Sequence, residues 1–582
     1  MTASTTPARP LQQSTDSKAL LSLTYVIIAL WSIHFFFVKD LTFTGDEVRY
    51  VAYGLGISKG EGPHVSDHSW REMLKEKHLD WYENPAKTKI IHSVIYPILG
   101  SYFIGNWGLD GARWFSFAIG ALGIIILYDA LRRVYSHDES ISTIVLVSFS
   151  CPLLFYLRLF FSEIFLFTLN CALVSFFVSK MHLRARNAYI ASFAVCLLPF
   201  VHLKLSLEAA VATLIIFYEF YKSEKSNLKR GLLLCQSAGM LALFIIYNTM
   251  MFGAPIGGAN PAFKVSILAI PDRIIVNLFD FHHGLISNAP LLIVSFIGFI
   301  IGIVNKDKEL RIVIILFIAY FFTMLWANGS EAYAARNWTA IIPMLAFGVA
   351  HWIKKGGSFN HALAIPFFVI SLCLLCLGMN SPNLFLDNRT YSLPFDALYA
   401  LAPYFHFGYY LPNDFLDHEG AASGAALALG LPIVLILSCF VTGQLASLHA
   451  RWKTAGICLQ ILALFTILFF SYVKKCDDVN IAFAEDENNY YLNIHINTPG
   501  DPAFIRIENA SATMKPYGFF SFWVHSDDSW KYQCSRASVI TPLAPFETID
   551  SIAIAEPKTD SGKAWLTTAT NAQFFQRRLS LF

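Results

Sequence analysis

The sequence has little charge for its length, and the charge that it has is nearly balanced. Of its 582 residues, 14% are Asp, Glu, Lys or Arg and 55% are hydrophobic, whereas soluble proteins carry about 25% charged residues. The formal net charge is only +2, so the chain has no basic surface that could neutralise the phosphates of a nucleic acid. We therefore expect no nucleic-acid partner.

Cysteine is scarce in the polar parts of the sequence. Eight of the ten Cys residues lie in apolar blocks, where Cys usually behaves as a small hydrophobic residue. The other two, Cys476 and Cys534, can form a disulfide if their region lies outside the cytoplasm.

What the sequence has in abundance is apolar blocks. They are close to the length of about 20 residues that crosses a bilayer as a helix, the conformation that satisfies the backbone hydrogen bonds in lipid. We predict a mainly α, polytopic membrane protein with about 13 transmembrane helices. The predicted spans are 20–38, 112–131, 141–157, 161–180, 188–202, 205–222, 231–252, 286–304, 312–327, 339–353, 361–379, 425–446 and 454–473.

Clusters of Lys and Arg in alternate connections indicate the orientation, because such clusters stay in the cytoplasm. The N-terminal tail, 1–19, is then cytoplasmic, and the first span is a retained signal anchor. We predict an integral protein of the bacterial inner membrane, with a transmembrane domain over 20–475. The predicted extracytoplasmic segments of the whole chain are 39–111, 253–285, 380–424 and 476–582.

The last of these segments alternates apolar and polar residues, as in Phe504-Ile-Arg-Ile. This period of two is typical of strands. We predict a small extracytoplasmic β-rich domain over 476–582. In the first segment, the apolar stretch 90–104 is short for a span and is predicted to be re-entrant or interfacial.

An acidic pair, Asp46 and Glu47, follows the first span. Transfer of a sugar with inversion needs a carboxylate that takes the proton of the acceptor hydroxyl, and low dielectric nearby strengthens the electrostatics of such a group. We predict a catalytic role for the pair, with Asp46 as the base. The alternative is that Thr44 or Asp46 only caps a short helix that begins near Glu47.

Cationic side chains lie at the outward ends of predicted spans, where the positive-inside bias disfavours them. The phosphate of a lipid-linked sugar donor would lie at this depth. Fixed cations would stabilise the charge that develops on this phosphate as its bond to the sugar breaks. Taken singly, each residue is more often a snorkelling or ion-paired cation at a helix end. The predicted phosphate-binding residues are Arg158, His202, Lys204 and Arg336.

Four further residues are predicted to support the site: Glu163, His92, His282 and His283. A carboxylate near a membrane boundary normally has a partner, and for Glu163 the candidates are Arg158 and Lys204. The two adjacent histidines could bind a divalent metal, although no HExxH or comparable spacing supports a metal site. An interfacial polar anchor is the alternative.

Taken together, these segments resemble the GT-C superfamily of membrane glycosyltransferases, which includes protein O-mannosyltransferases and the aminoarabinose transferases that modify lipid A. The resemblance runs in order through roughly 20–350, with one departure at Phe161-Ser162-Glu163, where relatives often carry Tyr-Pro-Glu. The similar stretches are Gly45 to Glu47, His92 to Pro97, Ala112 to Ser116, Pro152 to Glu163, His283 to Pro290 and Trp326 to Arg336.

The resemblance implies a sugar donor linked to undecaprenyl or dolichyl phosphate, a cavity at the outer membrane face, and inversion with Asp46 as the base. The metal requirement varies across the superfamily, so a divalent cation is left open, with Glu47 or His283 as its candidate ligands. The acceptor, whether glycan, lipid or protein, is left open as well.

Two other functions compete with this interpretation. A transporter or flippase of lipid-linked glycans would need charges inside several spans, whereas here they gather at the span ends. An O-antigen ligase or polymerase would use a long outward loop with Arg and His, and segment 380–424 contains Arg389, His406, Asp414 and His418.

Overall fold

The computed structural model describes most of the N-terminal two thirds of the chain and the strands at its C-terminal end. The chain divides into two compact units, one formed by 1–265, 291–328 and 336–364, the other by 266–290, 329–335 and 365–582. The described residues are 10–36, 46–75, 93–179, 185–253, 274, 277–278, 284–325, 335–355, 367–368, 371–372, 375, 473–475, 479–500, 502–507, 519–526, 529–536, 540–542, 549–558 and 572–577. The predicted spans 361–379, 425–446 and 454–473 and the loop 380–424 fall wholly or almost wholly outside them.

The described part of the chain up to residue 355 is helical. Its helices are α1 (Pro10–Phe36), α2 (Asp46–Ser58), α3 (Asp67–Lys75), α4 (Ile95–Arg132), α5 (His137–Ser148), α6 (Cys151–Tyr156), α7 (Ser162–Val178), α8 (Ala185–Val201), α9 (Ser206–Ser223), α10 (Asn227–Phe252), α11 (Leu285–Asn288), α12 (Val294–Val304), α13 (Lys308–Met324), α14 (Arg336–Thr339) and α15 (Ile342–Lys355). A 3-10 turn, Leu203–Leu205, joins α8 to α9.

Helix α4 is long because two helical pieces meet at a kink. Trp107 and Gly108 have non-helical backbone angles, and Gly108 has a φ of 54°, a conformation that glycine adopts without steric cost. The predicted interfacial stretch 90–104, from Ile95 onward, and the predicted span 112–131 are therefore the two halves of one broken helix.

The predicted span 141–157 is not one continuous helix. Helix α5 ends at Ser148 and α6 begins at Cys151, so the chain breaks at Phe149 and Ser150. Pro152 lies in the first turn of α6, a position where proline costs no hydrogen bond, whereas inside a longer helix it would remove one. The prediction of a single span here was wrong, because it used hydropathy and ignored this proline.

The first unit exposes many large apolar side chains. On α10, Leu228 is 73% exposed, Leu241 60% and Met250 81%, and apolar side chains of this size are accommodated by lipid rather than by water. Within the described residues, two helices are long and apolar enough to span a bilayer, Ile95–Arg132 and Asn227–Met250. Shorter apolar helices of 10–17 residues are Leu20–Phe36, Ser162–Val178, Asn187–Val201, Pro290–Val304 and Leu310–Met324.

Helices α12 and α15 approach each other at backbone distance. A methyl group added at Gly298 would overlap the carbonyl oxygen of Gly348, and one added at Gly348 would overlap the carbonyl of Ser295. Small residues at such a crossing allow close packing where lipid offers no hydrophobic driving force.

The C-terminal part of the second unit contains strands, in agreement with its alternating sequence. The strands form a four-stranded sheet in the order β1-β9-β4-β7 and a five-stranded sheet in the order β2-β3-β8-β5-β6, with antiparallel pairing. They are β1 (Val473–Lys475), β2 (Val479–Glu485), β3 (Asn489–Gly500), β4 (Pro502–Ile507), β5 (Phe519–Ser526), β6 (Ser529–Arg536), β7 (Ile540–Pro542), β8 (Ile549–Pro557) and β9 (Ala572–Arg577).

Strand β3 shows the period of two directly. Leu492, Ile494 and Ile496 are buried, whereas Asn493 and His495 between them are exposed. The predicted disulfide is a separate matter. Cys476 lies outside the described residues and Cys534 is known only by its backbone position on β6, so the pairing stays a prediction.

Candidate active site

Three charged side chains that are far apart in the sequence meet in the first unit. The guanidinium of Arg336 places its Nη2 2.6 Å from Oδ2 of Asp46 and its Nε 2.5 Å from Oε1 of Glu163. The side chain of Glu163 is 1% exposed and that of Asp46 is 15% exposed. Asp46 is therefore the more accessible of the two carboxylates that share this cation.

Each member of this triad stands at the beginning of a helix. Asp46 is the first residue of α2, Glu163 the second residue of α7, and Arg336 the first residue of α14. The predicted short helix near Glu47 is thus confirmed. A carboxylate in a first turn also interacts favourably with the helix dipole, so capping and ion pairing at Asp46 do not exclude each other.

A hydrogen-bonded chain links the two carboxylate helices. Tyr50, one turn after Asp46 on α2, has its hydroxyl 3.1 Å from Oγ of Ser162, and Ser162 donates to Oε2 of Glu163 at 3.2 Å. Burial, followed by the nearby charge of Asp46, raises the pKa of Tyr50, so its phenol stays neutral. The chain of contacts fixes α2 against α7 and with it the direction of the Asp46 carboxylate.

Arg336 is held from a third side by an aromatic ring. Its guanidinium carbon lies 4.7 Å from the ring centroid of Phe161, a cation–π arrangement. Burial acts to lower the pKa of Arg336, but Asp46 and Glu163 outweigh it and raise that pKa well above its usual value. The preceding residue, Ala335, has a φ of 55°, a left-handed conformation that is unfavourable for a residue with a Cβ.

A second cation, Lys204, lies near the triad. Its Nζ donates to Oδ1 of Asn337 at 2.6 Å, and the lysine interacts electrostatically with Glu163, Arg336 and Asp46. Burial lowers the pKa of Lys204 to about 8, with the charge of Glu163 acting in the opposite direction. Lys204 is therefore a cation that can lose its proton within the biochemical pH range.

His202 positions the turn that carries Lys204. Its Nδ1 accepts a hydrogen bond from the backbone N–H of Lys204 at 3.1 Å, and its ring interacts electrostatically with Glu163. The predicted residues Asp46, Glu163, His202, Lys204 and Arg336 are thus brought together by the fold.

Glu47 has a different environment from that of its neighbour. Its carboxylate accepts two hydrogen bonds from Arg113, at 3.1 and 3.0 Å, and one from the backbone N–H of Phe160 at 3.0 Å, and it is fully buried. A carboxylate used in this way cannot exchange protons with a substrate or bind a metal without breaking the pair. These contacts tie α2 to α4 and to the segment before α7, and the catalytic or metal-binding role of Glu47 stays a prediction.

Arg158 also departs from the prediction. It donates to the backbone carbonyl of His34 at 2.9 Å and its guanidinium carbon lies 5.3 Å from the ring centroid of Trp114. The close ion pair of Glu163 is with Arg336, whereas Lys204, one of the two predicted partners, interacts with Glu163 electrostatically. Sequence distance could not indicate the close pair, because its members are 173 residues apart.

The predicted histidines add no information on a metal. His92, His282 and His283 lie outside the described residues. Among the residues that the structure describes, no three His, Cys, Asp or Glu side chains are grouped so that they could hold a metal ion.

Residues that sequence reasoning missed complete the site. Arg113, Tyr50 and Asn337 each bond to a predicted residue or to its immediate neighbour. Arg113 carried a signal, since an arginine inside an apolar block needs a partner. Tyr50 and Asn337 carried none.

No family model matches the chain, and no curated protein matches it either. Two solved structures, both of ArnT from Cupriavidus metallidurans, are similar to it. The apo structure matches with a TM-score of 0.40 and 14% identity over 78% of each chain, and the structure bound to undecaprenyl phosphate with a TM-score of 0.38 and 16% identity over 78% of each chain. ArnT is an aminoarabinose transferase of the GT-C superfamily, the family that the sequence motifs resemble. At a TM-score below 0.5 the similarity adds nothing about mechanism.

Proposed function

We propose that this protein is a glycosyltransferase that moves a sugar from a polyprenyl-phosphate donor to an acceptor hydroxyl at the outer face of the membrane, with inversion at the anomeric carbon. The observation that carries the proposal is the contact of Asp46 with Arg336, 2.6 Å apart. It joins a partly accessible carboxylate to a buried cation at the beginnings of membrane-associated helices.

Asp46 is the base in this mechanism. The acceptor oxygen attacks the anomeric carbon, the bond from that carbon to the donor's phosphate oxygen breaks, and the proton of the acceptor hydroxyl passes to the Asp46 carboxylate. Glu163 is 1% exposed and accepts from Ser162 and Arg336, so it orients the cation and does not touch the acceptor.

Arg336 and Lys204 stabilise the leaving phosphate. A phosphodiester carries one negative charge and becomes a monoester with up to two as the glycosidic bond breaks, so fixed cations favour the transition state over the bound donor. The N-termini of α2 and α7, whose first turns bear Asp46 and Glu163, add partial positive charge in the same place.

The charges of the site suit an anionic sugar donor together with an acceptor hydroxyl that must lose a proton. Asp46 and Glu163 balance Arg336 and Lys204 when no ligand is bound. When a donor phosphate binds, it competes with Asp46 for Arg336. The carboxylate then becomes a stronger proton acceptor at the moment when the acceptor hydroxyl needs one.

The proposed topology puts the N-terminus in the cytoplasm and residues 46–58 and 336–339 outside it, in the inner membrane of a bacterium. The sugar and the acceptor are left open. A reporter enzyme fused after residue 58, active only outside the cytoplasm, tests the orientation. Activity from a cytoplasm-specific reporter at that position would contradict it.

The direct test of the activity uses the purified full chain in lipid nanodiscs. Donors with different sugars on undecaprenyl phosphate are supplied with membrane extract as the source of acceptor, and the release of undecaprenyl phosphate is followed by mass spectrometry. We expect acceptor-dependent release with at least one donor and none with Asp46→Asn. Equal release from wild type and variant would overturn the proposal.

A further inference from the structure

A third buried carboxylate, besides those of Glu47 and Glu163, lies outside the triad. Glu208, in the first turn of α9, is fully buried, and neither of its oxygens has a hydrogen-bond partner in the described part of the chain. The side chain of Asn170 on α7 lies beside it. Glu208 forms no ion pair with any described residue, so its charge, if it had one, would not be compensated.

Asn170 is also incompletely bonded. Its Nδ2 donates to the backbone carbonyl of Ala340 at 2.8 Å, which fixes the orientation of the amide, and its Oδ1 has no donor among the described residues. Two acceptor groups without donors thus lie next to each other in a fully buried place. Buried polar groups of this kind destabilise a protein unless they are paired.

One proton resolves both deficits. A protonated Glu208 has a hydroxyl that can donate to Oδ1 of Asn170, and its remaining oxygen is neutral and inexpensive to bury. An ionised Glu208 would instead place a charge without an ion-pair partner in the interior, with the neutral side chain of Asn170 beside it.

The pair connects the elements that carry the active site. Asn170 lies on α7, two turns after Glu163, and bonds to Ala340, which directly follows the helix that contains Arg336. Glu208 lies four residues after Lys204. A bond between Glu208 and Asn170 therefore fixes the spacing of the segments that carry Lys204, Glu163 and Arg336. The phosphate site depends on this spacing.

We propose that Glu208 is kept protonated and donates a hydrogen bond to Asn170, and that this pair is a positioning device for Lys204, Glu163 and Arg336. The proposal rests on the proposed function in one respect, namely that the ligand of the positioned cations is the phosphate of a polyprenyl lipid. Glu208 itself touches neither donor nor acceptor, so it is a positioning residue and not a catalytic one.

The variants that test this differ in one property at a time. Glu208→Gln keeps the shape and a donor, whereas Glu208→Leu keeps approximate size and removes the donor. We expect Glu208→Gln to bind undecaprenyl phosphate within about twofold of wild type and to leave the pH profile of binding unchanged. We expect Glu208→Leu to bind it roughly tenfold more weakly, the scale of one lost buried hydrogen bond. If Glu208→Gln is impaired as much as Glu208→Leu, or shifts the pH profile, the proposal is wrong.

A spectroscopic measurement keeps the inference testable even if Glu208→Leu fails to fold. Infrared difference spectra of wild type against Glu208→Gln at pH 7, in H2O and D2O, should show the carbonyl stretch of a protonated carboxyl that only wild type has. The absence of this band would overturn the proposal. Neither measurement requires sugar transfer, so a protein that transfers no sugar but shows the band and the order of the variants would refute the proposed function and leave this inference intact.

Discussion

Arg336 lies between two carboxylates and contacts both of them, and the one that it holds at 2.6 Å, Asp46, is the more exposed of the two. The other, Glu163, is buried and already bonded to Ser162. One cation therefore organises an unequal pair, in which the buried carboxylate keeps the cation in place and the other carboxylate lies nearer to the surface.

The first prediction concerns that accessible carboxylate. Asp46→Asn removes the proton acceptor but keeps the shape, so the transfer rate should fall by roughly 10²–10⁴-fold, the usual contribution of a general base. Undecaprenyl phosphate should still bind, because Arg336 and Lys204 remain. Steady-state rates and lipid binding in nanodiscs measure the two effects. Asp67→Asn, at the exposed start of α3, is the matched control, and a rate loss equal in both variants would remove Asp46 from the mechanism.

The second prediction concerns the shared cation. Arg336→Ala leaves Asp46 and Glu163 buried or half-buried without their partner, so the protein should lose about 3–5 kcal/mol of stability in addition to donor binding. Arg336→Lys keeps the charge but cannot contact both carboxylates through Nε and Nη2, so it should lie between wild type and Arg336→Ala. Thermal unfolding and binding of undecaprenyl phosphate report the two effects.

An exposed pair provides the control for this comparison. Arg133 pairs with Asp129 at 2.6 Å, but their side chains are 46% and 56% exposed, and such pairs contribute at most about 1 kcal/mol. Arg133→Ala should therefore barely change stability. If Arg336→Ala is as mild as Arg133→Ala, the ion pairs around Arg336 do not have the importance given to them here.

The third prediction concerns pH and Lys204. Because burial, against the charge of Glu163, lowers the pKa of Lys204 to about 8, the side chain is a cation below that pH and neutral above it. A phosphate binds the cation, so the affinity for undecaprenyl phosphate should be highest below pH 8 and should fall as the pH rises through it. The other charged groups facing Lys204 are Asp46, Glu163 and Arg336. The lowered pKa of Glu163 and the raised pKa of Arg336 keep these two charged in this range.

Two variants separate this effect from the titration of the lipid phosphate itself. Lys204→Arg stays charged, so its affinity should not fall near pH 8. Lys204→Gln is neutral throughout and should bind weakly at every pH. Titration of the lipid phosphate changes the affinities of all three proteins equally, so its effect cancels in the ratios of these affinities. A wild-type profile parallel to that of Lys204→Gln would show that Lys204 does not contact the phosphate.

The fourth prediction concerns the buried pair of Glu47 and Arg113. Glu47→Ala leaves Arg113 as an uncompensated buried charge and should cost about 3–5 kcal/mol of stability, whereas the double replacement Glu47→Met with Arg113→Met should recover most of that loss. Thermal unfolding of the wild type and of these two variants measures both changes. If Glu47→Ala unfolds like wild type but loses all transfer, Glu47 acts on the substrate after all.

Much of the site could be predicted from the sequence because charge is so scarce in it. In an apolar chain, a cation or carboxylate near the end of a span is costly unless it has a partner or a function. This rule singled out Asp46, Glu163, Lys204 and Arg336, which the fold brings together. The pairing could not be predicted, because it depends on which helix beginnings the tertiary fold brings together. The same rule also applies to Glu208, a carboxylate at the start of the predicted span 205–222, which the sequence analysis did not single out.

The fold was predictable to a similar degree. Hydropathy located six helices to within four residues at both ends, namely α7, α8, α9, α10, α13 and α15. The alternation of residues 490–496 indicated strands. Hydropathy did not show the break at Phe149 and Ser150. The mean hydropathy of an apolar segment stays high even where a proline interrupts the helix.

The triad also sets a constraint on how the chain is made. Its two carboxylates belong to the first 163 residues, and their shared cation is residue 336. While the ribosome is still adding the intervening segment, the inserted helices must keep Asp46 and Glu163 hydrated, protonated or apart. The native arrangement around α2 and α7 can therefore close only after the chain has been extended past Arg336.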